Sequence, residues 1–110
     1  RPNAEIAKTS LGAVETVPYE TSENAVALIE RLKKERVAVV AIEQTSQAIE
    51  YRSYEPHGDT AFIFGNEVTG IEPEVLAQSD MHLHVPMMGS KESLNVSVCA
   101  GIVLFHFRDV

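Results

Sequence analysis

Val37-Ala-Val-Val-Ala-Ile42 contains no polar side chain and is mostly β-branched, and Thr60-Ala-Phe-Ile-Phe64 is nearly as apolar. Short unbroken runs of this kind are expected of strands covered on both faces, as in a parallel sheet. Between the two runs lies a polar stretch containing Pro56, His57 and Gly58. Upstream, residues 23–36 place Ala25, Leu28, Ile29 and Leu32 at i, i+3, i+4 and i+7, with the charges opposite, which predicts an amphipathic helix. Downstream, 72–79 reads as a short helix with Pro73 in its first turn, and Met81-His-Leu-His-Val-Pro86 as a third strand. A loop, Met87-Met-Gly-Ser-Lys-Glu-Ser93, leads to a final apolar helix from about Leu94 to Phe107. At the start of the chain, 3–13 reads as a helix ending near Gly12, followed by a short extended piece at Val14–Pro18. Alternating strands and helices predict an α/β fold, a mainly parallel sheet flanked by helices. Ligands in such sheets bind at the carboxyl ends of strands. The segments after Ile42, Phe64 and Val85 are therefore expected to share one functional edge.

The length of 110 residues fits one domain that folds without disulfides or metal. Cys99 is the single cysteine and sits in an apolar run, which suits a reducing compartment and a buried thiol. The net charge of -7 is unevenly placed: residues 1–36 balance, and the whole excess lies in 37–110. That argues against a broad nucleic-acid footprint, which needs clustered cations, but leaves room for a small one. The N-terminus shows no apolar signal segment. The stretch 94–107 is too short to span a bilayer and is interrupted by Asn95, Ser97 and His106, so a soluble protein is expected.

Several residue patterns invite a chemical reading. Gly65-Asn-Glu-Val-Thr-Gly70 has the spacing of a phosphate loop, but Ile71 and Glu72 stand where Lys and Ser/Thr are needed. Glu67 would also repel phosphate, so a nucleotide-triphosphate loop is excluded, and a strand-to-helix turn using permissive glycines is the simpler reading beside a ligand role. His82 and His84 share a strand face and could ligate a metal, yet no third ligand is near, and partly exposed strand histidines are the simpler reading, so no metal is expected. His106 suits a helix C-terminus. Ser93 reads as a helix N-cap. Asn95 and Glu67 are harder to place: each is either satisfied locally or converges with the other on a ligand.

Taken together, Phe62-Ile-Phe-Gly-Asn-Glu-Val-Thr-Gly-Ile71, His84-Val-Pro-Met-Met-Gly89 and Glu92-Ser-Leu-Asn-Val-Ser-Val98 resemble the second and third motifs of the SPOUT-class RNA 2'-O-ribose methyltransferases, SpoU/TrmH branch. Lys8-Thr-Ser-Leu-Gly-Ala-Val-Glu15 also resembles the segment after that family's first motif. The resemblance implies a C-terminal deep trefoil knot, a rare exception to unthreaded connections. It implies S-adenosylmethionine held against Ile42, Gly65, Val85 and Leu94, largely by backbone groups. Glu67, Ser93 and Asn95 would be the polar active-site residues, acting on a ribose hydroxyl of tRNA or rRNA rather than DNA. A cytoplasmic homodimer packed through the last helix is implied as well. The family's first motif, Asn-x-Gly-x-x-x-Arg, which supplies a hydroxyl-activating arginine, does not occur in the chain. The expectation is therefore an N-terminally incomplete methyltransferase domain, the alternative being a non-catalytic knotted module that binds cofactor or a partner.

Overall fold

The computed structural model describes residues 4–10, 13–65, 70–86 and 96–107. Its elements are β1 (Ala4–Ser10), β2 (Ala13–Tyr19), α1 (Ser22–Lys34), β3 (Ala38–Ile42), β4 (Ile49–Glu50), β5 (Thr60–Phe64), α2 (Pro73–Gln78), β6 (Met81–His84) and α3 (Val96–His106), with a single 3-10 turn at Tyr51–Ser53. One six-stranded sheet has the order β2-β1-β5-β3-β6-β4. The β5–β3, β3–β6 and β6–β4 pairs are parallel, and the β2–β1 and β1–β5 pairs antiparallel. The fold is thus a mixed α/β sheet with flanking helices, and its parallel half is the part expected from sequence.

Two cores explain why β3 and β5 carry no exposed polar positions. Val39, Ala41, Ala61 and Ile63 pack with Ala25, Ile29 and Leu32 of α1 and Val75 of α2. Their neighbours Val40, Ile42, Phe62 and Phe64 face the opposite way, against Val103 and Phe107 in and beside α3. Strands sandwiched in this way need apolar side chains on both parities.

The helix expected over 3–13 is instead the β1–β2 hairpin. Alternate residues of β1 go to opposite cores, Ala4 and Ile6 to one and Ala7 to the other, which is strand periodicity. The Ala, Glu and Lys in this stretch favour a helix locally. Pairing with β5, in register Ile6↔Ile63, outweighs that preference because it satisfies a strand edge that would otherwise lie open. β4 and the turn after it were also hidden in the polar stretch, since two residues are too few to show a period.

Helix α1 is delimited by side-chain chemistry. Thr21 caps it by accepting the Asn24 N–H at 3.1 Å. At its far end Val37 N–H donates to Leu32 C=O and Arg36 N–H to Lys33 C=O, both at 3.0 Å. This is the Schellman arrangement, with Leu32 and Val37 buried together. It places Arg36 at φ 65°, in the left-handed region. Arg36→Gly should therefore stabilise the protein by about 0.5–1 kcal/mol, relief of left-handed strain exceeding glycine's added chain entropy. Urea unfolding of the two proteins measures this directly.

Asp80 joins two parallel strands at their starts. Its carboxylate accepts Val39 N–H at 2.8 Å, and its own N–H donates to Val39 C=O at 2.7 Å. That link sets the β3–β6 register, and with it the relative height of the strand ends where a ligand would bind. Among the described residues no helix is long and apolar enough to cross a membrane.

Candidate functional site

Three parallel strands end together. Ile42 is in register with Phe64 on one side and Leu83 on the other, so this row marks the carboxyl edge of the sheet. Ile42 and Val85 are 6% and 9% exposed and both turn toward the α3 side. Gly65 follows β5 directly, so Ile42, Gly65 and Val85 stand at the carboxyl ends of three strands that are neighbours in the sheet. Glu67, Ser93, Leu94 and Asn95 lie outside the described residues, as does the Cys99 side chain.

At Gly65 the backbone folds back closely on itself. A Cβ there would lie 2.5 Å from the carbonyl carbon of Gly70 and 2.6 Å from the nitrogen of Ile71. Both are backbone atoms, so no rotamer change relieves the clash. The two ends of the Gly65–Gly70 segment are therefore pinched together. Gly70 has φ 75°, and a side chain there would strike the Glu43 carboxylate. Both glycines are required by the shape of the turn.

Sequence reasoning missed Glu43. It follows β3 directly, its N–H donates to Leu83 C=O at 2.9 Å, and its half-buried carboxylate accepts Ile71 N–H at 3.4 Å. Burial pushes its carboxyl above the usual range, opposed by the Ile71 hydrogen bond and the nearby His82. Tyr19 is pushed up to about 12, first by burial and then by the charges of Glu72 and Glu43, so it stays a neutral phenol. The available signal was a carboxylate immediately after a doubly buried strand, a costly place for a charge without a partner.

His82 has a protein partner at each ring nitrogen. His82 Nε2 lies 3.1 Å from Leu76 C=O and must donate, so in the neutral ring Nδ1 accepts from Thr45 Oγ1 at 2.9 Å. Among the described residues no cluster of three ligating side chains occurs. His84 Nδ1 is buried without a hydrogen-bond partner among the described residues, leaving one unmet polar atom near the same edge. His106 ends α3 and meets Tyr51 edge-on at 5.1 Å.

Residues 1–105 match the model of the SpoU rRNA Methylase family. The chain is 35% identical over 106 residues to the 23S rRNA (guanosine-2'-O-)-methyltransferase RlmB of Neisseria meningitidis serogroup B, covering 96% of this chain and 42% of that protein. It is 32% identical over 106 residues to the tRNA (guanosine(18)-2'-O)-methyltransferase of Escherichia coli K12, covering 96% and 45%. Among solved structures, the A. aeolicus TrmH/SpoU tRNA modifying enzyme superposes with a TM-score of 0.71 at 30% identity, over 84% of this chain and 47% of that one. The chain spans less than half the length of each of these relatives.

Proposed function

The chain belongs to the SpoU rRNA methylase family, and from that premise we propose that it is the cofactor-binding and catalytic domain of an RNA 2'-O-ribose methyltransferase. The cofactor is S-adenosylmethionine, the substrate tRNA or rRNA, and the compartment the cytoplasm. The observation that carries this reading is the pinch of Gly65 against Gly70 and Ile71 at the end of β5, on the sheet edge where β3 and β6 end at buried Ile42 and Val85. A flat, partly apolar adenine needs apolar walls and exposed backbone groups. Ile42 and Val85 offer the walls, and Gly65, whose missing side chain lets Gly70 and Ile71 close on it, keeps the turn tight at that edge. The residues present therefore fit the cofactor.

Bound there, S-adenosylmethionine supplies an electrophilic methyl group on a sulfonium. A ribose hydroxyl is a poor nucleophile near neutral pH and must be aligned and relieved of its proton. Ser93 and Asn95 orient that hydroxyl, or the basic group that activates it. Glu67 holds the loops and a cationic partner, and Leu94 completes the apolar wall with Ile42 and Val85. In this reading residues 1–110 form one domain, the segment leading into α3 is threaded as a trefoil knot, and two copies pair through α3.

Calorimetric titration of the full-length protein with S-adenosylmethionine tests the reading, with one site per chain expected. Asn95→Ala should abolish methyl transfer to RNA while leaving cofactor affinity nearly unchanged. Loss of both together would overturn the division of labour between Asn95 and the pocket. A folded protein that binds no cofactor would instead be the non-catalytic module.

A further inference from the structure

Resting on the methyltransferase reading above, we propose that Glu43 is a positioning residue that clamps the base of the Gly65–Gly70 segment, and so sets the placement of the pocket residue Gly65 and of the segment that carries Glu67. The contacts form a continuous chain. Glu43 is tied into the sheet by its N–H bond to Leu83 C=O. Its carboxylate holds Ile71 N–H and lies against Gly70, whose lack of a side chain and φ of 75° make room for it. Gly70 and Ile71 in turn are the atoms that close on Gly65. The sheet thus fixes the returning arm of the turn through a side chain, and the outgoing arm through the backbone of β5.

An apolar side chain would fill this space at lower cost, as Ile42 and Ile71 do beside it, because a carboxylate leaving water loses solvation. What an apolar residue cannot do is accept the Ile71 N–H, which would otherwise be left without this partner at a buried residue. Glu43 does not reach the reacting atoms in this scheme. It acts through Gly70 and Ile71.

Two variants of the full-length protein separate the acceptor from the bulk and the charge. Glu43→Met keeps the length of the side chain and removes the acceptor, and Glu43→Gln keeps an acceptor and removes the charge. Each is titrated with S-adenosylmethionine, and exchange of the Ile71 amide is followed by NMR. Glu43→Met should bind the cofactor about tenfold more weakly and exchange Ile71 about tenfold faster, the scale of one hydrogen bond. Glu43→Gln should recover most of both. Unchanged binding and exchange in Glu43→Met would overturn the clamp, and so would equal losses in both variants. Should Glu43→Met not fold, Glu43→Ala replaces it with the same expectations. If the unsubstituted protein binds no S-adenosylmethionine, the methyltransferase reading fails, and Ile71 exchange alone then decides the clamp.

Discussion

Gly65→Ala should lower S-adenosylmethionine affinity by about a hundredfold while the protein still folds. The added methyl would stand 2.5 Å from one backbone atom and 2.6 Å from another, so the turn must open to admit it. Overpacking of this kind costs about 1–3 kcal/mol, which a domain of this size survives. Under the proposed function the cofactor is held largely by backbone at this turn, so its affinity is expected to fall by more than the stability does. Gly58→Ala is the matched control: nothing lies within 4 Å of a Cβ there, and neither stability nor affinity should change. Calorimetry on the two variants measures the contrast. Wild-type affinity in Gly65→Ala would show that the pinched turn does not border the cofactor.

Phe62→Ala should destabilise the protein by about 3–5 kcal/mol, a large part of what a single domain has. Phe62 is fully buried in the middle of β5 and stacks on Phe107 at 5.3 Å with an interplanar angle of 17°. Tyr54 meets the same Phe107 edge-on at 6.1 Å. Removing the ring leaves a cavity between the sheet and the end of α3 that rigid β-strands on both sides cannot close. Urea unfolding should show a lower midpoint with an unchanged slope. A loss below about 1 kcal/mol would mean that α3 does not rest on this face of the sheet.

Of the candidate site, the strand pattern by itself carried only the expectation that the segments after Ile42, Phe64 and Val85 share one edge; the choice of Ile42, Gly65 and Val85 as pocket residues came from the family resemblance. Glu43 was only half legible: its place directly after a doubly buried strand asks for a partner but does not name one, and Ile71 lies 28 residues away. The same holds for Thr45 and His82, whose hydrogen bond spans 37 residues.

Sequence by itself determined the elements whose own residues carry the reason for them. The apolar runs of β3 and β5 can only be strands covered on both faces. α1 follows from its stripe of Ala25, Ile29 and Leu32 and its Thr21 cap, and α2 from Pro73 at its first position. The stretches that resemble the family's second and third motifs were readable for a similar reason, being contiguous. Tertiary structure decided what depends on a distant partner. Residues 4–10 carry helix-forming side chains, yet they form a strand because β5 offers an unpaired edge, and backbone hydrogen bonding to it outweighs a propensity of a few tenths of a kcal/mol per residue, to order of magnitude. β4 exists only because β6 has a second edge to pair. Glu43 takes its role only where Gly70 and Ile71 fold back onto the end of β3, since a carboxylate's meaning is set by the donors it meets.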